Sequence, residues 1–318
     1  MNLQRILLIT FCAAACNSIV LAQQASPNYW IAYNVQVDGK ADNYDVFGME
    51  MDGRGKKNIT NHKDVAWAYY AHKNTLYFIS DRDSCRRCYF LYATEDGGKS
   101  LRKVTDLRLE DSWMSARNNG AELVVTGRIG TTVRQQVFLI DVRSGAYRQI
   151  TNDTSAMYGD PVFSPDGKDV VYRYRKQKRN RQEKAELWIM NLESGVSRQL
   201  THYPVDDTTA AWHAYHAGPP RWHPTEHFIS YQSFQNGKYR LYAITPDGKK
   251  HWKLLTTDAT DQGWHDWSDD GQWLAFEGFD TKQTQFDIYL MNWKTKDLKR
   301  LTDSTHKFQQ APVFVRVR

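Results

Sequence analysis

Hydrophobic residues in this chain come in short runs separated by turn residues. The runs at 170–174, 186–192 and 197–201 are rich in β-branched and aromatic side chains and are bounded by Gly, Asp, Asn and Pro. Runs of this length and composition are typical of β-strands joined by tight turns. The pattern therefore predicts units of four short antiparallel strands.

These units repeat along the chain. Each one closes in a hydrophobic or basic stretch that ends in threonine, and successive closing threonines are 45 to 55 residues apart. A repeat of roughly 40–50 residues with four strands is typical of a propeller blade. Six such repeats predict an all-β fold, a six-bladed β-propeller. The closing threonines are Thr60, Thr105, Thr151, Thr201, Thr256 and Thr302.

The sequence Phe-Ser-Pro-Asp-Gly-Lys at 163–168 begins one repeat, and looser copies lie at 67–74, 113–120, 222–227 and 267–272. With the strands that follow, this repeat resembles that of the TolB-like (WD40-like) propellers of the bacterial envelope, over about residues 29–318. The resemblance implies the propeller fold and the docking of protein partners across one face. It does not settle the function, because one fold hosts binding proteins and enzymes alike. The tryptophans that open the looser copies are expected to pack between blades: Trp67, Trp113, Trp222 and Trp267.

Both ends of the chain are informative. Residues 1–22 have the basic start, apolar middle and small-residue end of a secretory signal, so residues 23–318 are predicted to form one exported domain, periplasmic or secreted. Lipoprotein anchoring through Cys16 is an alternative, and the apolar run is too short for a transmembrane segment.

Residues 311–314 match the first strand of a repeat, whereas residues 29–33 match a second strand. The C-terminal strand is therefore predicted to complete the N-terminal blade and close the ring, which removes exposed sheet edges. A ring closed within one chain favours a monomer.

Two cysteines, Cys85 and Cys88, remain once the signal is removed, and an exported location favours a disulfide between them. The formal charge of the chain is +6, and cations crowd residues 173–184. Such a run is usually a solvated loop, but it can also dock an anionic glycan, lipopolysaccharide or a phospholipid surface. Nucleic acid is an unexpected partner for an exported chain. The candidate ligand-binding cations are Arg175, Lys176, Lys178 and Arg179.

Strand parity divides the loops between two faces of the propeller. The turns after the first and third strands of each blade are short Asp-Gly or Asn-Gly hairpins on one face, which we call the hairpin face. The connections after the second and fourth strands are longer and share the other face, which we call the long-loop face. Long loops on a rigid scaffold commonly carry function, so the sequence favours the long-loop face as the binding face.

Six of the ten histidines fall in crossings between blades on the long-loop face. Among them, His265 replaces a proline found at this position in three other blades. Imidazole is a common metal ligand and general base, so His213, His216 and His265 are candidate ligands of a divalent metal ion. His62 and His306 are further candidate ligand-binding residues. The alternative is that these histidines bond neighbouring carboxylates and are structural.

Two functions remain open from the sequence. The first is a non-enzymatic binding module for an envelope protein or an anionic glycan. The second is a polysaccharide lyase resembling oligogalacturonate lyases, in which His213 or His265 is the base and Arg221 holds the substrate carboxylate. Those lyases have seven blades and this sequence predicts six, so the binding module is favoured.

Overall fold

The computed structural model describes residues 28–256 and 260–317, and the predicted signal at 1–22 lies outside them. Within these ranges every regular element is a β-strand, and six antiparallel sheets form the six blades of a propeller. No helix long and apolar enough to cross a membrane occurs in the described ranges. The predicted fold class is confirmed.

Blades 1 to 3 occupy the first half of the chain. Blade 1 has the strand order β25-β1-β2-β3, blade 2 runs β4 to β7, and in blade 3 two short strands, β8 and β9, both pair with β10. The bounds are β25 Gln309–Arg316, β1 Tyr29–Asp38, β2 Asn43–Glu50, β3 Lys57–Asn58, β4 Ala66–His72, β5 Thr75–Ser80, β6 Phe90–Thr94, β7 Arg102–Lys103, β8 Arg108–Leu109, β9 Ser115–Arg117, β10 Glu122–Ile129, β11 Val133–Asp141 and β12 Tyr147–Gln149.

Blades 4 to 6 follow a regular inner-to-outer order of four consecutive strands each. Their bounds are β13 Met157–Phe163, β14 Asp169–Arg175, β15 Glu186–Asn191, β16 Ser197–Gln199, β17 Pro220–Trp222, β18 Ile229–Gln235, β19 Lys238–Ile244, β20 His251–Lys253, β21 Asp261–Trp267, β22 Trp273–Phe279, β23 Phe286–Asn292 and β24 Leu298–Arg300.

The ring closes as the sequence predicts. The C-terminal strand β25 is the innermost strand of blade 1 and pairs antiparallel with β1, Ile31 lying opposite Phe314. Ala311, Val313 and Val315 of β25 are fully buried. Pairing between the two ends of the chain leaves no open edge at the junction of the first and last blades.

The repeated threonine has a defined structural role. Thr302 Oγ1 accepts a hydrogen bond from Ile288 N at 2.9 Å and donates to Asp287 at 3.1 Å. Thr60 makes the same pair of bonds in blade 1, and Thr201 makes it in blade 4. In these blades the hydroxyl satisfies a buried backbone N–H where the chain leaves the outer strand, which accounts for its recurrence there. Thr105 in blade 2 instead accepts from Leu107 N and donates to the carbonyl of Gly145.

The hairpins between first and second strands are held by their own side chains. In blade 4, Ser164 Oγ donates to Asp166 at 2.6 Å and accepts from Asp169 N at 3.0 Å. Ser268 and Asp270 repeat this arrangement in blade 6. These bonds make the hairpin face a rigid rim around the central channel.

Cys85 and Cys88 form a disulfide in the connection between β5 and β6, with their Cα atoms 5.1 Å apart. The predicted pairing is confirmed. The bridge lies in a loop at the blade periphery, where it closes a short turn.

Candidate functional site

A funnel-shaped cavity of about 450 Å³ opens at the centre of the hairpin face. The inner strand or first hairpin of every blade contributes to it, from Phe314 in blade 1 to Asp269 in blade 6. Because its walls are rigid strands that converge on one axis, the cavity is formed before any ligand binds. We call this cavity the funnel.

The walls of the funnel are mainly apolar. They include one or two large side chains from most inner strands. The contributing residues are Tyr70, Met114, Val162, Phe163, Trp222, Trp267 and Phe314. A cavity of this size and lining fits apolar side chains of a ligand rather than a small hydrophilic molecule.

The floor of the funnel is an ion pair. Arg221 Nε lies 3.4 Å from Asp266 Oδ1, and the Arg221 guanidinium is 3.7 Å above the ring of Trp113. Arg221 also donates to the carbonyl of Tyr69 at 3.3 Å. Burial lowers the pKa of Arg221 to about 10, although Asp266 opposes that shift. Burial likewise raises the pKa of Asp266 to about 6, against the effect of Arg221.

The rim of the funnel carries charges of both signs. Lys73 Nζ donates to Asn119 Oδ1 at 2.7 Å, whereas Asp269 accepts from Arg316 at 2.8 Å and from the hydroxyl of Tyr29. Close packing also fixes the rim, because a Cβ on Gly120, whose φ is +86°, would lie 2.4 Å from the His72 ring. The rim is therefore a fixed set of polar groups around an apolar cavity.

Below the floor, the channel is closed by a central aromatic cluster. Trp264 of blade 6 reaches across the axis and lies edge-on to Trp67, Tyr69, Trp113 and Tyr215, with ring centroids 6.1 to 6.3 Å apart. The funnel is therefore a blind cavity rather than one end of an open pore.

Irregularities in the inner strands place these aromatic side chains. The pairing register shifts between Ala68 and Tyr70 and between Gln262 and His265, and in blade 3 the inner strand is interrupted between β8 and β9. Such bulges turn a side chain out of the regular alternation. Trp67 and Trp113 consequently contact Trp264 at the channel instead of repeating the position of Trp267. Both still pack between blades as expected, Trp67 against Tyr44 of blade 1 and Trp113 against Tyr69 of blade 2, with ring centroids 4.1 and 5.0 Å apart.

On the long-loop side of the cluster the channel holds a second group of polar side chains. The hydroxyl of Tyr69 donates to Asp111, and Arg173 Nε lies 3.0 Å from Asp160 while its guanidinium lies 4.8 Å from the Tyr215 ring centroid. Asp111 is exposed to solvent in the channel, but desolvation by the surrounding protein raises its pKa, and the nearby charge of Asp160 adds to that shift. The sequence had not nominated Asp111, Asp160 or Arg173 as site residues.

The candidate metal ligands are not brought together. His265 is 1% exposed and its Nε2 lies 2.7 Å from Ser230 Oγ, whereas His216 is 2% exposed and accepts from Ala185 N at 3.4 Å. His213 is exposed beside Trp212. Across residues 28–256 and 260–317, no group of three or more His, Cys, Asp or Glu is placed to hold a metal ion.

Burial also makes two of the candidate histidines, His265 and His216, and the candidate clamp Arg221 unsuited to the roles proposed for them. It lowers the pKa of His265 to about 3 and that of His216 to about 4. Both rings are therefore neutral near pH 7 and packed in the protein. Arg221 is 7% exposed and already bonded to Asp266, so it is not free to clamp a substrate carboxylate on the long-loop face.

The two other candidate histidines lie apart from each other. His62 Nδ1 is 3.2 Å from Asp64 at the edge of blade 1, and His306 packs edge-on to Phe47 at 5.6 Å. Each has a local partner, as the structural alternative expects.

The basic segment is divided between the interior and the surface. Arg175 is 7% exposed and donates to the carbonyl of Trp212 at 3.3 Å, and Lys178 Nζ donates to the carbonyl of Thr154 at 2.5 Å. Lys176 and Arg179 are exposed. Only part of the cationic run is thus available to a ligand.

Loop length in the sequence did not point to the funnel, because the hairpin face carries only short connections. A usable signal was present at equivalent positions of the repeats. Val162 and Val313 are replaced by Arg221 in blade 5 and by Asp266 in blade 6, so opposite charges occupy a buried inner-strand position in adjacent blades. Opposite charges at such a position indicate a buried ion pair facing the channel.

The fold and the funnel define a closed six-bladed β-propeller with a preformed central cavity on one face. The family model described as the TolB beta propeller domain (PD40) matches residues 131–307, more than half of the chain, and the chain belongs to this family. A comparison with curated protein sequences gives no significant match.

Solved structures show the same fold at low sequence identity. TolB from Acinetobacter baumannii aligns with a TM-score of 0.68 and 14% identity, over 90% of this chain and 66% of that one, so this chain spans just under two thirds of that protein. A putative TolB from Agrobacterium tumefaciens gives a TM-score of 0.59 and 15% identity, over 92% and 100% of the two chains.

An oligogalacturonate lyase in complex with manganese also aligns, with a TM-score of 0.52 and 12% identity over 87% of this chain and 74% of that one. This weaker likeness concerns the fold alone. Together with the burial of His265 and the pairing of Arg221, it does not favour the polysaccharide lyase alternative.

Proposed function

We propose that this protein is an exported binding module that docks a segment of a protein partner in the funnel. The observation that carries the proposal is a preformed cavity of about 450 Å³ to which all six blades contribute. This moves the proposed binding face from the long-loop face, which the sequence favoured, to the hairpin face.

The chemistry of the funnel supports a protein segment as the ligand. An apolar side chain that enters the funnel is removed from water and packs against wall residues such as Tyr70 and Trp222. Burial of this kind dominates the energetics of protein interfaces. The polar rim, with Lys73, Asn119 and Asp269, offers hydrogen bonds to the backbone on either side of that side chain.

An exported location agrees with the disulfide between Cys85 and Cys88, since such bonds persist in oxidising compartments. We propose in addition that the domain extends over residues 23–318 and acts as a monomer, because its ring closes within one chain. Family membership supports an interaction role without identifying the partner.

The test is site-specific photo-crosslinking in the native cell. A photoreactive amino acid at Asn119, on the funnel rim, is expected to give a protein adduct that mass spectrometry identifies. Ala71→Arg and Ala116→Arg each place a long side chain in the funnel and should lower the yield of that adduct at least tenfold, about the effect of losing one interface hot spot.

Ala146→Arg is the matched control, because Ala146 is exposed on an outer hairpin of the same face, away from the funnel. Its adduct yield should equal that of the wild type. Adducts obtained from photoreactive residues on the long-loop face, with none from Asn119, would place the docking site on the face that the sequence favoured.

A further inference from the structure

The long-loop face carries a patch in which cations lie among exposed apolar side chains. It is formed by the connection between β14 and β15, residues 176–185, and by the crossing from blade 4 to blade 5 around residues 203–213. We call it the basic-aromatic patch. Neither of the cavities at the hairpin face, the funnel and a groove of about 420 Å³ near Trp30, reaches it.

The two loops of the patch are packed on each other. The Arg181 guanidinium lies 4.5 Å from the centroid of the Trp212 ring, and Lys184 Nζ lies 4.8 Å from that of Tyr203. Beneath the patch, Arg175 joins the two loops by donating to the Trp212 carbonyl at 3.3 Å. The cations and the aromatic ring are therefore held side by side.

Two apolar side chains of the patch face solvent. Val205 is 95% exposed and Trp212 is 47% exposed. Both side chains belong to the crossing from blade 4 to blade 5 and present apolar surface to solvent. Side chains of this kind are stabilised when they enter the boundary region of a lipid bilayer, where tryptophan is enriched.

The charge of the patch is complementary to an anionic surface. Residues 175–184 hold six Lys and Arg and one acid, Glu183, whose carboxylate accepts the backbone N–H groups of Lys176 at 2.7 Å and Gln177 at 2.9 Å. In the adjoining crossing, Asp207 is buried and bonded to Thr209, and Asp206 is exposed. The exposed cations Lys176, Arg179 and Arg181 thus outnumber the exposed acid.

We infer that the basic-aromatic patch docks this protein on an anionic phospholipid bilayer, with the cations contacting lipid phosphates and Val205 and Trp212 entering the headgroup boundary. Exposed cations beside exposed apolar side chains match the anionic phosphates and the apolar boundary that such a bilayer presents together. Docking through the long-loop face leaves the funnel directed away from the bilayer and open to a protein partner.

The experiment is co-sedimentation of the full-length folded protein with vesicles of phosphatidylcholine and phosphatidylglycerol, and with vesicles of phosphatidylcholine alone. The wild type is expected to bind the mixed vesicles, to bind them more weakly as salt is raised, and not to bind the neutral ones. Lys176→Glu/Arg179→Glu/Arg181→Glu should lower the partition coefficient at least tenfold.

Lys249→Glu/Lys250→Glu/Lys253→Glu is the matched control, because it makes the same charge change at exposed positions of a hairpin-face turn and strand. It should retain most of the binding. The double variant Val205→Ser/Trp212→Ala tests the apolar contribution and should lower binding to mixed vesicles severalfold. Melting temperatures near that of the wild type show that all variants are folded.

Three outcomes would overturn the inference. The wild type fails to bind the mixed vesicles, the two triple variants lose binding equally, or the Val205→Ser/Trp212→Ala variant binds like the wild type. In the last case, equal binding to soluble polygalacturonate would identify the patch as a general polyanion site, which is the glycan alternative. None of these results bears on the crosslinking test of the funnel, so the two proposals fail separately.

Discussion

At the scale of single residues, the channel walls hold acids that are short of solvent. Glu277 is 3% exposed, and its carboxylate accepts the backbone N–H of Ala311 at 3.1 Å. Burial raises the pKa of Glu277 to about 8 from an ordinary value of 4.5. The folded protein therefore binds a proton at this group over a pH range in which the unfolded chain has released it.

The contribution of Glu277 to stability is expected to fall as pH rises from about 4.5 to about 8, since a raised folded-state pKa stabilises the protein fully only below the unfolded value. Glu277→Gln keeps an oxygen acceptor for Ala311 N and removes the titration. The lowered pKa values of His216 and His265 act in the opposite direction in both proteins, so the measurement is a difference. In urea unfolding across this range, the wild type should lose about 2–4 kcal/mol relative to Glu277→Gln.

Glu193→Gln, at an exposed outer hairpin, is the control and should keep the wild-type slope. If Glu277→Gln retains that slope as well, Glu277 does not carry the proton and other buried acids, such as Glu186, account for it. Burial raises the pKa of Glu186 to about 7.

At the scale of elements, the contacts between neighbouring blades decide which histidines matter. His265 on β21 bonds Ser230 on β18, and Trp267 Nε1 donates to the same hydroxyl at 2.9 Å. Three side chains thus join the inner strand of blade 6 to blade 5 inside the core. His213 lies on an exposed crossing and joins no strands.

His265→Ala is therefore expected to destabilise the fold by about 2–3 kcal/mol, because it leaves a cavity and removes one hydrogen bond between blades 5 and 6. His213→Ala should change the free energy of unfolding by less than about 0.5 kcal/mol. Denaturant titrations of the two variants compare them directly. If both variants change the free energy of unfolding by the same small amount, His265 is not structural and becomes a functional candidate again.

At the scale of the whole molecule, one strand holds the ring together. β25 pairs with β1 on one side, and its buried residues Ala311, Val313 and Val315 fill the space between blades. Phe314 N also donates to Asp266 at 3.0 Å, so β25 supports the floor of the funnel. Ring closure and the binding cavity therefore depend on the same strand.

Deletion of residues 311–318 should cost several kcal/mol, on the scale of losing two or more buried side chains, and should also abolish the crosslink from Asn119. Thermal unfolding followed by circular dichroism measures the first effect. A truncated protein that melts within a degree or two of the full chain would show that β25 does not close the ring. Arg316→Ala, a change at a half-buried rim residue of the same strand, is a milder control that should keep the fold.

The sequence by itself determined the blade count, the strand pairing at the ring junction and the disulfide. The blade count and the disulfide follow from local information: the repeated threonine bonds a backbone N–H 14 residues earlier in blades 1, 3, 4 and 6, and Cys85 is three residues from Cys88. The junction joins distant segments, but the repeat itself shows which strand each end of the chain lacks. Local interactions of this kind recur with the repeat and are visible in one dimension.

The tertiary structure alone decided where the cavity lies and which side chains face it. Arg221 and Asp266 are 45 residues apart, and Trp264 meets Trp67 and Trp113 across the ring axis, so no local pattern pairs them. Bulges in the inner strands also change which side chains point to the channel, relative to a regular alternation along the strand. The same holds for the histidines. The sequence places His213, His216 and His265 on crossings of one face, but the packing of the blades holds each ring against a different neighbour.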